Sequence, residues 1–537
     1  MNLNSITNYA QVPVADIRRS KFDINWSHLT TFDAGKLYPI LCEQVYPGDS
    51  VKLDMNVICR MATPLAPVMD NCYMDVHFFF VPFRLLWDHW KNFMGESTTK
   101  WTSGISYAVP MATYTPTQGS LFDYFGEPIG VTLKGSDLPY RAYNLIWNEW
   151  YRDEALQDPL LVSTGDTANP SMSRQLLPVN KYKDYFTSCL PSPQKGDPVT
   201  ISLGEYAKVY ARSDTVTDAL FAPAMQLYNY GMVTDSNAHS LVSENGSLNT
   251  EISPASGGVS RVATTPLNLW ADLSDASGID VNSLRLAFAI QRMFETDARG
   301  GTRYRELVKA HFGVDVGDSR VQVPEYLGGK HIPINVMQVV QQSGTVNEPT
   351  PIGTTGAFSK TFDTASYVDK SFVEHGLLMG FVSIRTDHTY QQGQRRQMRL
   401  RDKYDFYWPE LAHIGEQPVY QSEIYATTGN TLDGGDQNAV FGYQEAWAHL
   451  RSIPNQVTGN FRSNATDSLD IWHYADDYDQ LPFLSDAWIR ETDVNVNRTL
   501  VVQNSETQDQ FFAQFFFVST WIRPLPTFSI PGVGGRM

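Results

Sequence analysis

Arg395, Arg396, Arg399, Arg401 and Lys403 are followed at once by Tyr404, Phe406, Tyr407 and Trp408 in the stretch RRQMRLRDKYDFYW. Cations beside rings suit single-stranded nucleic acid, because positive charge tracks the phosphate backbone and rings stack on bases. A charged strand face paired to an acidic neighbour would use the same residue types, and the sequence leaves both readings open. A second basic group, Arg18, Arg19 and Lys21 in IRRSKF, stands ahead of the first strong strand pattern. The chain as a whole is acidic: 41 Lys and Arg face 58 Asp and Glu, for a net charge of −17. Phosphate contacts need Lys and Arg, so any nucleic-acid contact must be local.

Catalytic patterns are missing. There is no GxxxxGK[ST], and GGKH at Gly328–His331 lacks both the upstream glycine and the hydroxyl of that motif. HExxH and GxSxG are absent as well. The eleven histidines are dispersed, and His77, among phenylalanines, reads as a satisfied core or interface residue. Asp476, Asp477 and Asp479 in YADDYDQ lack the glycine and glutamate of a calcium loop and read as a solvated acidic loop. Cys42, Cys59, Cys72 and Cys189 form no CxxC, so they are expected to be free thiols from a reducing compartment. No catalytic residue, metal or cofactor is expected. The competing class is a secreted carbohydrate-active β-rich enzyme or lectin. Glycosidases need paired carboxylates, and Glu149 with Asp153, or Glu306, would have to supply them. The opening MNLNSITNYAQVPVADIRRS shows no apolar core behind a basic start, unlike an export signal. No apolar run approaches the ~18 residues of a membrane span. The expectation is a soluble protein made in the cytosol.

The elements that must carry these residues are mostly strands. Aromatics make up 12% of the chain, with 37 Gly and 30 Pro, and charged residues only 18%. That mixture suits strands and long loops. SVKLDMNVICR alternates, with Val51, Leu53, Met55, Val57 and Cys59 on one face, and Pro47–Asp49 supplies the turn before it. CYMDVHFFFVP puts Met74, Val76, Phe78 and Phe80 on one face and Tyr73, Asp75, His77 and Phe79 on the other. DQFFAQFFFVSTWIRPLP is apolar on both faces and reads as a strand buried between layers, ended by Pro524; DVNVNRTLVV alternates as a strand before it. Helical spacing appears in RAYNLIWNEWYRDE (Tyr143, Ile146, Trp147, Trp150), in VNSLRLAFAIQRMFETDARGG (Leu286, Ile290, Met293, Phe294) and in TRYRELVKAHFGV. Between Arg212 and Arg261 there is no Lys or Arg, and the Ser, Asn, Thr and Gly there read as a long exposed loop.

Several stretches stand in an order that resembles the major capsid proteins of microviruses, nearest the gokushovirus type. They are TTFDAGKLYPILCEQVYPGDS, RMATPLAPVMDNCYMDVHFFFVPFRLLWDHWKNFMGE, YNLIWNEWYRDE, KDYFTSCLPSPQKGD, FGVDVGDSRVQVPEYLGG, DFYWPELAHIGEQPVY and RPLPTFSIPGVGG. The resemblance runs from about Ala15 to Gly535; DYFTSCLPSPQKG and PEYLGG are its most specific parts.

The resemblance implies a mainly β fold, an eight-stranded antiparallel jelly roll with long inter-strand insertions carrying several helices. It implies one capsid domain over 1–537, assembled as sixty copies in a T=1 shell around circular single-stranded DNA, in the cytoplasm of a bacterial host. It implies as partners a small basic DNA-packaging protein, a minor pilot protein, an internal scaffolding protein and a host-cell receptor. By the same analogy residues 1–22 form an internal arm. Arg18, Arg19 and Lys21, with Arg395, Arg396, Arg399 and Arg401, would then meet DNA on the inner surface. Trp87, Trp90 and Phe93 would carry contacts between elements or subunits. Residues 213–281 would be a surface insertion gathered at threefold axes, its stem in 218–231 and 266–273 and its tip in 234–260.

Overall fold

The alternation in SVKLDMNVICR is met by a strand in the computed structural model, which describes residues 17–96, 107–197, 199, 281–301, 303–313, 321–343, 352–427, 439–503 and 508–528, with short strand segments between 208 and 272. Eight strands carry the main architecture: β1 (Ser20–Phe32), β2 (Tyr38–Val45), β3 (Ser50–Met61), β4 (Cys72–Pro82), β5 (Glu325–Pro333), β6 (Thr361–Ser371), β7 (Gly376–Thr386) and β8 (Phe511–Arg523). They pair antiparallel in two four-stranded sheets, ordered β1-β8-β3-β6 and β5-β4-β7-β2. First and last strands are neighbours, as are β2 and β7, β3 and β6, and β4 and β5. Between β2 and β3, Asp49 makes the Pro47–Asp49 turn: its amide donates to the Tyr46 carbonyl at 2.9 Å and its carboxylate accepts from the Tyr46 amide at 3.0 Å.

One core lies between the sheets. Val51, Leu53, Met55 and Val57 of β3 and Phe511, Phe515 and Phe517 of β8 share a buried cluster with Met74, Val76, Phe78 and Phe80 of β4 and Leu378, Val382 and Ile384 of β7. The opposite face of β4 and β7 is covered too. There Phe79, Val81, Leu377, Met379 and Phe381 pack with Trp87 and with Tyr143, Ile146 and Trp147 of α1 (Leu138–Ile146), which continues into a π turn at Trp147–Tyr151. Arg141 fixes that helix. Its fully buried guanidinium binds Asp137 at 3.0 Å and the carbonyls of Leu86, Gly165 and Thr167 at 2.9–3.0 Å, and Arg174 takes the other Asp137 oxygen at 2.7 Å.

Two strand expectations fail. β8 is buried on one face only; Phe516, Val518 and Ile522 are exposed on the other. Nothing among the described residues covers that face, so apolar sequence on both sides did not mean two covered sides. The alternation in DVNVNRTLVV belongs to a helical turn, Val494–Arg498, not to a strand. The reason is polar: Asn497 bonds back to Asp493 at 3.1 Å and Asn495 reaches Asp476 at 2.6 Å. Local Asn and Asp bonds compete with a strand ladder.

The helices follow expectation in position. α2 (Val281–Arg299) stops before Gly300, and α3 (Tyr304–Phe312) ends on Gly313 in the left-handed region. Leu286 and Met293 of the expected apolar face of α2 are nonetheless exposed. None of the described helices is long and apolar enough to cross a membrane.

The chain divides into two compact units, Met1–Pro193 with Ala298–Met537, and Gln194–Asp297. In the second, antiparallel pairs nest one inside the next: 208–211 with 269–272, 228–229 with 262–263, and 241–244 with 247–250. Most of the expected stem 218–231 and 266–273 and of the tip 234–260 lies outside the described residues.

Candidate functional site

The basic arm enters β1. Arg18 and Arg19 are exposed. Lys21 pairs with Asp23 at 3.0 Å, both side chains 60% exposed, a pairing that solvent screens strongly. All three cations are therefore open to a ligand.

The Arg395–Trp408 stretch behaves differently. It forms short turns, Arg396–Met398 and Lys403–Asp405, and no strand. Asp405 shapes the second turn by accepting from the amides of Asp402 and Arg401 at 2.9 Å, which holds its carboxyl below the usual range. Arg396 points inward, donating to the Pro418 carbonyl at 2.8 Å and approaching the buried Glu423 at 3.5 Å. Arg399 lies 4.4 Å over the Tyr420 ring and donates to the Ser422 hydroxyl. Arg395 donates to Gln456. Lys403 sits 5.0 Å over the Trp408 ring. The rings of Tyr404, Phe406, Tyr407 and Trp408 stay exposed. The two readings left open by the sequence divide by residue: Arg396 and Arg399 serve internal pairing, and the aromatic tip faces out.

Trp87 is wholly inside the chain, its indole N–H donating to Asp166 at 2.7 Å. Its ring stands 5.3 Å from Phe93, and Trp90 stands 4.6 Å from Phe83. Trp87 thus joins elements of one chain, whereas Trp90 and Phe93 keep surface that a neighbour can reach.

The carboxylates of the enzyme alternative are occupied. Arg303 bridges Glu149 at 3.3 Å, Glu154, and Glu306 at 3.2 Å, while Lys183 pairs with Asp153.

The acidic loop needs correction as well. Asp476 is buried, not solvated: it accepts from His388 Nδ1 at 3.0 Å, Asn495 at 2.6 Å and the Tyr478 hydroxyl at 3.1 Å, with Lys181 at 3.4 Å. His388 Nε2 meets Glu491 at 2.7 Å. Burial alone would lower the His388 pKa, but Asp476 and Glu491 overcome it and raise it to about 10. This imidazolium between two carboxylates was not legible in the sequence, since its members lie about a hundred residues apart. His77 does have its expected partner, the Tyr151 hydroxyl at 2.8 Å.

The two specific motifs have structural reasons. In PEYLGG, β5 bulges against β4 between Tyr326 and Gly328. A Cβ on Gly328 would sit 2.4 Å from the Tyr367 carbonyl oxygen, and one on Gly329 2.5 Å from that of Val76. Only glycine lets the backbones approach so closely. In DYFTSC, Asp184 closes its own turn through the amides of Phe186 (2.9 Å) and Thr187 (2.7 Å) and accepts from the Tyr390 hydroxyl at 2.8 Å. Tyr185, Phe186 and Cys189 then pack on Val419, Ile424 and Phe441.

Residues 10–533 match the family described as Capsid protein (F protein). The chain belongs to this phage capsid family. It is 38% identical to capsid protein VP1 of Chlamydia phage 1, over 98% of this chain and 97% of that protein. It is 38% identical to capsid protein VP1 of Spiroplasma virus 4, with 96% of each covered, and 36% identical to capsid protein VP1 of Bdellovibrio phage phiMH2K, with 98% of each covered. These are gokushovirus-type microviruses, so the resemblance in the motifs holds. A capsid protein acts as structure, not as an enzyme, and its place is the virion. The enzyme or lectin alternative has no support.

Proposed function

We propose that this chain is the major capsid protein of a small tailless phage, closing as sixty copies into a T=1 shell around circular single-stranded DNA. The observation that carries the reading is the strand pairing: 1 with 8, 2 with 7, 3 with 6 and 4 with 5, in two antiparallel sheets over one core. Such pairing supports a jelly roll, an architecture of viral shells, and it occurs in a chain of a capsid family. Assembly takes place in the cytoplasm of the bacterial host. A net charge of −17 per chain calls for a separate basic packaging protein. A pilot protein, an internal scaffolding protein and a host receptor complete the partners. The insertion at 213–281, without Lys or Arg from 213 to 260, suits an outward face and contact with the host. Electron microscopy of purified material should show closed particles of one size that carry DNA sensitive to single-strand nuclease. A species of only 60.5 kDa at high concentration, with the other phage proteins supplied, would overturn the reading.

The DNA contact falls to Arg18, Arg19 and Lys21, whose charges are open. Among the cations of the second stretch, Arg396 and Arg399 have inward partners and stay out of this assignment. Replacing all three arm residues with Gln should leave shells forming but lower their DNA content. Full particles with unchanged DNA content and salt sensitivity would remove the arm from the interior contact.

A further inference from the structure

The loop that reads as a nucleic-acid site carries surface better suited to protein. Met398, Tyr404, Phe406, Tyr407 and Trp408 are all exposed, Tyr404 by 72% and Phe406 by 53%. Tyr407 packs edge-on against Trp447 at 5.4 Å, which joins this tip to the turn Ala448–Leu450. Beside that turn is a cavity of about 190 Å³. Tyr185, Phe186 and Tyr390 are its buried rings, and the exposed Leu450 and Ile453 also line it. The rest of the lining is mostly polar, with Gln391, Arg395, Asn455 and Gln456 among it, so exposed rings border a mixed cavity, the make-up of a protein interface with an aromatic centre and a polar rim.

We propose that the 398–408 tip and the adjoining cavity are a docking surface for a second copy of this chain. The inference rests on the shell reading above and names the surface that reading leaves unassigned. Charge argues for the occupant. With Arg396 and Arg399 turned inward, the exposed charges of residues 391–408 are Arg395, Arg401 and Lys403 against Asp402 and Asp405, a surface charge of +1 in a chain of −17, so the rest of the chain sums to −18. A second copy therefore offers the complementary field, which orients docking surfaces and suppresses wrong partners. Composition agrees, since Tyr, Trp, Met and Arg are the residues enriched at protein interfaces. Against nucleic acid stands the geometry already described. Arg396 and Arg399 are held inward, and Lys403 lies over the Trp408 face that a base would need. The cations that stay exposed, Arg395, Arg401 and Lys403, stand among Asp402 and Asp405, which interrupts the run of positive charge that would track a phosphate backbone.

A photo-crosslinking amino acid, p-benzoylphenylalanine, placed at Tyr404 in otherwise intact particles tests this. Illumination should give a product of twice the chain mass, with the crosslinked peptide on a second copy. Crosslinks only to DNA, only to another phage protein, or none in normally formed shells would overturn it. The double substitution Tyr404→Ser, Phe406→Ser is the second arm. Both side chains are exposed, so the unassembled chain should keep its thermal transition, while shell yield falls roughly tenfold or more, as for loss of aromatic interface anchors. Shells at normal yield and heat resistance would overturn the proposal; normal yield with lost DNA would assign the tip to nucleic acid instead. Failure of the unaltered chain to form shells would refute the shell reading. Even then, a crosslink between copies in smaller oligomers would support the docking surface, and its absence there would refute it.

Discussion

The two four-stranded sheets share one core and differ in what lies on their other faces. The β5-β4-β7-β2 sheet is a middle layer: Phe78 and Phe80 look into the shared core while Phe79 and Phe381 meet Trp87 and α1. The β1-β8-β3-β6 sheet alternates properly, and its outer face presents Leu29, Ile58, Phe362 and Phe516 to solvent within the single chain. Apolar residues on both faces of a strand therefore mean different things in the two sheets. In β4 they mark helices inserted by the same chain. In β8 they mark a face that no described part of the chain covers.

The sharpest way to break this comparison is a matched pair of truncations. Phe381 is fully buried, 6.1 Å from Phe79 and 5.7 Å from Tyr143. Phe381→Ala should cost about 3–5 kcal/mol, the usual range for emptying a large aromatic site. Phe516, 40% exposed on the outer face, should cost about 1 kcal/mol when cut to Ala, near the centre of ordinary mutational effects. Urea unfolding of the unassembled chain measures both. Equal losses would mean that the outer face of the first sheet is covered after all.

The sheets also show what a sequence can reveal. Strand β3 was legible because it keeps a period of two along all but Ile58, β4 because its first half does so before the apolar run Phe78–Pro82, and the helices because their apolar spacing is regular. The errors came where partners distant in sequence decide the outcome. Asp476 looks solvated in YADDYDQ because His388 and Lys181, its counter-charges, are far away in the chain. Arg396 and Arg399 look like free cations because Glu423 and Tyr420 return only after a turn. The isolated alternation in DVNVNRTLVV is too short to outweigh its Asn and Asp bonds. The motif glycines are visible in sequence, but their reason, the close approach of Tyr367 and Val76, is visible only in the fold.

The buried ion cluster gives the next largest effect and ties β7 to the loops that follow it. Thr386 at the end of β7 donates to Glu491 at 3.0 Å, and His388 two residues on holds Glu491 and Asp476. His388→Gln leaves two buried carboxylates with too little positive charge and should cost about 3 kcal/mol, the low end for breaking a buried ion pair. Its pH dependence has a definite sign. The folded pKa of His388, about 10, lies above the ~6.5 of an unfolded histidine, so its contribution is complete below about pH 6.5 and is lost as pH rises towards 10. Burial would raise the Asp476 pKa, but Lys181 and His388 reverse this and depress it, so the aspartate's contribution is present above ~3.9 and fades as pH falls below it. The stability gap between the original chain and the variant should therefore be widest from roughly pH 4 to 6.5. A gap that grows from pH 7 to 9 would show that His388 is neutral in the folded chain.

The smallest effect sharpens the comparison from the open side. Leu29 on β1 is 78% exposed and pairs across the sheet with Gln514. Leu29→Ser removes apolar surface that water already reaches, so the unassembled chain should change by less than about 0.5 kcal/mol, as for most surface substitutions. Its neighbours across β8 and β3, Gln514 and Ile58, keep their ladder positions because no backbone bond depends on that side chain. The same substitution in whole particles asks whether the face is still open after assembly. If the outer face of the first sheet stays exposed, heat resistance of the particles should not change. A drop in particle heat resistance, with the unassembled chain unaffected, would show that another molecule covers in the shell what the middle sheet covers with its own helices.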